Sequence, residues 1–142
     1  MRYKMTLLLA TMATLLFACE EPDYGTTPDT TIASLGTPEN NEIWFTTTDG
    51  KVLLNLDETA FNVAIAEVIY SEYDINVIRF EGDVTTIGEG AFEECTNIFN
   101  LSLPNSVNSI GDYAFYVCKS IASIEIPSSV TLIGDNAFDG CT

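Results

Sequence analysis

A block of twelve residues occurs three times in this chain. Val84-Thr85-Thr86-Ile87-Gly88-Glu89-Gly90-Ala91-Phe92-Glu93-Glu94-Cys95 returns as Val107-Asn108-Ser109-Ile110-Gly111-Asp112-Tyr113-Ala114-Phe115-Tyr116-Val117-Cys118. It returns again as Val130-Thr131-Leu132-Ile133-Gly134-Asp135-Asn136-Ala137-Phe138-Asp139-Gly140-Cys141. Six positions are identical in all three copies, and each recurs at a spacing of 23 residues. A unit of this size cannot bury its apolar face alone, so identical side chains at a fixed period are buried by stacking copy on copy. The spacing predicts a mainly β solenoid with short helical turns, about three rungs of 23 residues over residues 75–142.

Each unit contains two local periods. Ile78 and Phe80, Leu101 and Leu103, then Ile124 and Ile126 alternate with Arg79, Ser102 and Glu125, which predicts strands with one face inward. The three strands are expected to stack in parallel as one sheet, with Pro104 and Pro127 ending two of them and Glu81 standing where the first unit lacks proline. The return side carries Val84 and Ile87, Val107 and Ile110, Val130 and Ile133, the candidate for a second short strand. Gly88, Gly111 and Gly134 are expected to permit the turn that follows, and the Ala-Phe pair to sit on a short helical or 3₁₀ segment. Phe92, Phe115 and Phe138 should form a column. Cys95, Cys118 and Cys141 share the period and form no Cys-x-x-Cys pair, so they read as buried small apolar residues and not as a metal site or disulfide framework. A period of 20–29 residues with a strand in each unit is the pattern of leucine-rich repeats.

Ahead of the repeats, residues 42–74 are placed to cover the first rung. Ile43-Trp44-Phe45-Thr46-Thr47 and Val52-Leu53-Leu54-Asn55-Leu56 flank Asp49-Gly50, which predicts a hairpin with strands at about 43–47 and 51–55. Asp57 can cap a helical turn through Phe61. Val63 to Tyr70 reads as a strand by its β-branched and aromatic content, although Phe61, Ile65, Val68 and Ile69 also fit a helix. Trp44, Phe45 and Phe61 are expected to pack, with sugar binding the alternative for Trp44.

The sequence holds five basic and 21 acidic residues and no histidine. Such a surface repels phosphate backbones, so no nucleic-acid partner is expected. Without histidine there is no His-dependent triad, and adjacent carboxylates such as Glu93 and Glu94 do not oppose each other across a substrate. No enzyme, no cofactor and no metal is expected; carboxylates in EF-hand spacing are lacking, which leaves calcium the weaker reading of the acidic excess.

The start of the chain has the parts of an export signal: Arg2 and Lys4, an apolar run from Leu7 to Phe17, and Ala18. Eleven apolar-run residues are too few to span a bilayer as a helix. Leu16-Phe17-Ala18-Cys19 resembles a bacterial lipobox, which implies a signal peptide over residues 1–18 and a lipidated Cys19. Residues 19–41 then read as an acidic, Thr- and Pro-rich flexible tether. Glu20-Glu21-Pro22-Asp23 resembles the surface-export signals of lipoproteins in gut and oral anaerobes. That resemblance implies a protein lipid-anchored in the outer membrane and exposed on the cell surface.

Ser-Ile-x-Ile-Pro-x-Ser-Val-x-x-Ile-Gly-x-x-Ala-Phe-x-x-Cys, as it stands from Ser123 to Cys141, resembles the BspA-type leucine-rich repeats of surface proteins and lipoproteins in anaerobic bacteria and some protists. Ile43 to Lys51 resembles the segment that often precedes such arrays. The resemblance implies a non-enzymatic adhesin or protein-interaction module whose partner is a host matrix protein or a bacterial surface protein. Strand alternation makes Arg79, Asn100, Ser102, Ser123 and Glu125 the outward residues of the sheet and hence the candidate ligand-binding set. The alternative is a glycan-binding lipoprotein for nutrient capture using Tyr70, Tyr73, Tyr113 and Tyr116. The next strand would begin at Thr142, so the last rung is expected to be continued by further chain or covered by a partner.

Overall fold

The computed structural model describes residues 36–50, 55–71 and 75–142. It contains β1 (Glu42–Thr47), β2 (Ile65–Ile69), β3 (Asn76–Phe80), β4 (Thr86–Ile87), β5 (Ile98–Ser102), β6 (Ser109–Ile110), β7 (Ser123–Glu125) and β8 (Leu132–Ile133). Among the described residues there is no helix, so the chain is mainly strand. The expected signal peptide, Cys19, most of the expected tether, Tyr73 and most of the expected second hairpin strand lie outside the described residues.

The return side follows the period. β4, β6 and β8 form a parallel sheet in which Thr86 pairs with Ser109 and Ser109 with Leu132, and Ile87 pairs with Ile110 and Ile110 with Ile133. Phe92 lies on Phe115 and Phe115 on Phe138, each pair with centroids 5.1 Å apart and rings within 7° of parallel. Phe61 closes one end of this column, edge-on to Phe92 at 5.8 Å and tilted on Phe80 at 5.0 Å.

The cysteines do more than fill space. Cys95 and Cys118 are fully buried and Cys141 half-buried. Burial, helped by the neighbouring thiol, pushes Cys95 and Cys118 up to about 12, and burial raises Cys141 as well. The thiols therefore keep their protons near neutral pH and can donate. Cys118 Sγ donates to the Phe92 carbonyl at 3.0 Å and Cys141 Sγ to the Phe115 carbonyl at 3.1 Å, satisfying the oxygen of the repeat before. Ser106 and Ser129 act alike, donating to Val84 at 2.7 Å and Val107 at 2.6 Å.

The expected helical segment around Ala-Phe is a run of turns instead. Glu93 and Cys95 donate to carbonyls three residues back, at 2.9 and 3.0 Å. The amides that alternate with these do not: Gly90, Phe92 and Glu94 donate across to Asp112, Ala114 and Tyr116 at 3.0, 2.7 and 2.8 Å. A 3₁₀ helix needs every amide pointing back along its own chain. Here alternate amides belong to the next repeat.

The turn glycines also act differently from expectation. Left-handed backbone occurs at Gly90, Tyr113 and Asn136, and at Glu94, Val117 and Gly140, each set spaced by the period, and not at Gly88, Gly111 or Gly134. Those three are needed because adjacent repeats touch there. A Cβ on Gly88 would fall on the Ala60 carbonyl oxygen, one on Gly111 within 2.7 Å of the Glu89 nitrogen, and one on Gly134 within 2.6 Å of the Gly111 carbonyl carbon. Val117 is the misfit of the left-handed sets, since a β-branched residue there (φ 57) costs about 1–2 kcal/mol. The third repeat already has glycine at this place. Val117→Gly is expected to raise stability by about 0.5–1 kcal/mol, the strain relieved outweighing glycine's chain entropy, as read from the shift of a urea midpoint.

The sheet side departs most from expectation. The repeat strands do not form one uninterrupted parallel sheet: the order is β2, β3, β1, β5, β7, with β5 and β7 parallel and β1 antiparallel to both β3 and β5. Ile43 and Phe45 alternate with Trp44 and Thr46, and both point into the core fully buried. β1 is paired along one edge by β3 from Glu42 to Phe45 and along the other by β5 from Trp44 to Thr47; the second strand of the expected hairpin lies outside the described residues apart from Asn55, which lies in a bend with φ 64. β2 confirms the strand reading of Val63 to Tyr70 over the helix, because β3 supplies its ladder. Glu81, standing where later units have proline, uses its amide to extend that ladder to the Ala64 carbonyl at 3.0 Å.

Residues 57–62 meet the open side of the first repeat. Asp57 Oδ1 accepts from the Thr59 amide and hydroxyl at 2.9 and 2.7 Å, bonds that hold its carboxyl below the usual range. Gly88 donates to the Ala60 carbonyl at 2.6 Å, as Gly111 does to Ile87 at 2.7 Å. Asn62 Oδ1 accepts from the Thr85 and Thr86 amides at 2.8 and 3.0 Å, doing with a side chain what a preceding strand would do.

Candidate functional site on the outer face of the sheet

Strand register sorts the outward residues into rows across the sheet. One row runs Ile69, Val77, Trp44, Ser102 and Glu125 over all five strands. Beside it lie Glu67, Arg79 and Glu42, and on the other side Thr46, Asn100 and Ser123. The interposed β1 therefore separates Arg79 from the other four candidate residues.

Arg79 is engaged. Its Nη1 donates to Glu67 Oε1 at 2.6 Å, and its Nη2 and Nε donate to Glu42 Oε1 at 2.9 and 3.0 Å. The Glu42 hydrogen bond, against a smaller effect of burial and with help from the Glu42 and Glu67 charges, raises its pKa further. The guanidinium is shared by two carboxylates, so the triad holds one positive charge against two negative. Ser102 is a correction to the outward set: it is 1% exposed, a small side chain flanked in its row by Trp44 and Glu125. Asn100 is half-buried and its amide donates to Thr46 Oγ1 at 3.2 Å. Ser123 and Glu125, both on β7, are exposed.

Trp44 was expected in the core and is not there. It is half-buried on the outer face, its indole N–H donating to Glu42 Oε2 at 3.0 Å. The signal lay in period-2 alternation: once Ile43 and Phe45 point inward, Trp44 must point out. Ile69, Val77 and Trp44 thus form an apolar strip next to an ion-paired arginine in a chain of net charge −16.

The tyrosines stand elsewhere. Tyr113 and Tyr116 meet edge-on at 5.5 Å on the turn segment after β6, and Tyr70 packs edge-on to buried Phe45 at 6.3 Å. An open depression lined by Asn55, Asp57, Gly90, Glu93 and Glu94 is polar and carboxylate-rich. Among the described residues no group of three or more Cys, Asp or Glu side chains is placed to hold a metal, and no helix is long and apolar enough to cross a membrane. Nothing in the described residues shows catalysis.

Short parallel strands at a 23-residue offset, with a phenylalanine stack and a cysteine in each copy, define a leucine-rich-repeat protein. The sequence from residue 63 to 142 matches the family described as BspA type Leucine rich repeat region. That is more than half of the chain, and the chain belongs to this family. The matched region begins at residue 63, and so takes in β2. Among solved structures, the chain is similar to a leucine-rich repeat protein from Bacteroides ovatus ATCC 8483. The two share 27% identity with a TM-score of 0.37, over 52% of this chain and 24% of that one. The chain thus corresponds to about a quarter of that protein's length. No curated protein matches.

Proposed function

We propose that this chain is a surface-anchored, non-enzymatic lipoprotein whose leucine-rich-repeat solenoid serves as an adhesin or protein-interaction module. The observation that carries the reading is the apolar strip of Ile69, Val77 and Trp44 beside the ion-paired triad of Arg79, Glu42 and Glu67. Interfaces are depleted of charge at their centre and enriched in tryptophan, and this is where an otherwise acidic surface offers both. Family membership supports a binding module. The lipobox-like Leu16 to Cys19 and the acidic segment after it support an anchor at Cys19 in the outer membrane, facing outward.

The partner class is a host matrix protein or a bacterial surface protein. Trp44→Ala is expected to weaken capture of matrix proteins by intact cells about 30-fold, the effect of losing about 2 kcal/mol at an interface centre, while the melting temperature stays within a few degrees. Ser123→Ala with Glu125→Ala, at the rim, should weaken it only slightly. Undiminished capture by Trp44→Ala removes the sheet face as the site. The anchor is read separately: Cys19→Ala should abolish lipid labelling and release the protein from the membrane fraction. Tyr113, 38% exposed, favours a glycan as the alternative partner, and a glycan array that gives signal lost on Tyr113→Ala would support it.

A further inference from the structure

Between the first and second repeats the two sides of the molecule hold different numbers of strands. On the return side β4 pairs directly with β6, and Phe92 lies 5.1 Å over Phe115. On the sheet side β1 stands between β3 and β5, so these strands are two spacings apart, about 10 Å. Because β1 is antiparallel to both, β3 and β5 run parallel to each other, as β5 and β7 do.

The repeat specifies another pairing for β3. β5 and β7 pair at the period, Asn100 with Ser123, Leu101 with Ile124 and Ser102 with Glu125. The same offset would set Val77 against Asn100, Ile78 against Leu101 and Arg79 against Ser102. β1 prevents this and lines up Val77 with Ser102 through Trp44, and Asn76 with Leu101 through Phe45, two residues out of the period. A slip of two keeps every side chain on its own face, so the core side of β3 would still be the core side.

We propose that β1 is a removable spacer, and that the chain has a second, closed arrangement in which β3 pairs directly with β5 in parallel at the 23-residue offset. Opening requires release of the β1 ladders and of the bonds just before β1, where the Asn40 carbonyl accepts from the Val84 amide at 2.8 Å and from Ser106 Oγ at 3.1 Å. All of these lie along the path of a pull applied to the segment before Glu42. Withdrawing β1 takes Trp44 out from between Val77 and Ser102 and divides the outer row in two. That consequence, unlike the pairing itself, rests on the function proposed above: a molecule held by its N-terminal segment would release its partner under load.

The pairing is tested in the full chain with no ligand present. Val77→Cys with Asn100→Cys is treated with a bifunctional thiol reagent that reaches one strand spacing, about 5 Å. Asn100→Cys with Ser123→Cys, already direct neighbours, sets the rate for a closed pair. The native Cys95 and Cys118 are buried and protonated and do not compete, and Cys19 and the half-buried Cys141 are replaced by alanine in every variant. The 77 and 100 pair is expected to link slowly in the parent chain, at least tenfold faster when Ile43→Asp and Phe45→Asp break β1, and to give a linked product that still melts cooperatively. No acceleration overturns the proposal. So does loss of cooperative melting in the β1-broken chain, because the repeats would then have no folded arrangement without β1. Either failure leaves the assignment of the sheet face standing, and failed capture by Trp44→Ala leaves the pairing standing.

Discussion

Phe115→Ala is expected to remove about 3–5 kcal/mol, most or all of the stability of a domain this size. The ring is fully buried and has a parallel neighbour 5.1 Å away on each side. No single side chain can collapse into the space, because the column is built from one ring per repeat and the backbone ladders hold the repeats at fixed spacing. Phe138→Ala in this chain should cost far less, about 1–2 kcal/mol, since that ring is half-buried and stacks on Phe115 alone among the described residues. Urea denaturation of the two variants checks the order. Equal losses would mean that the stack is not the chief source of cohesion between repeats.

Gly111→Ala is the second large effect, expected to cost about 3 kcal/mol by overpacking. The added methyl would sit 2.7 Å from the Glu89 nitrogen and 2.8 Å from the Gly88 carbonyl carbon, both backbone atoms of the previous repeat. Neither can move without parting the repeats at the Gly111 amide to Ile87 carbonyl bond of 2.7 Å. Gly90→Ala is the control. Gly90 has φ 64, and a Cβ there would meet only the Glu93 side chain, so the loss should be the torsional one of about 1 kcal/mol. If both substitutions lower the urea midpoint equally, the close-approach explanation of the Gly88, Gly111 and Gly134 column is wrong.

The candidate site was legible in part. Ser123 and Glu125 are exposed where alternation placed them, on a strand whose neighbour is another repeat. Ser102 and Arg79 have the same alternation, yet one is shielded and the other paired to Glu42 and Glu67. The difference comes from β1, which brings Trp44 beside Ser102 and Glu42 beside Arg79. β1 lies outside the repeats, so the period names neither neighbour.

Although Ile126 and Ile133 of the third unit are 41% and 49% exposed, the period alone named the parallel return strands, the phenylalanine column, the burial of Cys95 and Cys118 and the inward face of the first two units. Such contacts join equivalent residues of adjacent copies, so one period names both partners. Tertiary structure alone decided the place of β1. Its pattern of Ile43 and Phe45 against Trp44 and Thr46 says which face is buried, but any two strand edges can satisfy its amides and carbonyls. The edges it pairs with are those of β3 and β5, and there Ile43 and Phe45 are completely buried, which removes both side chains from water.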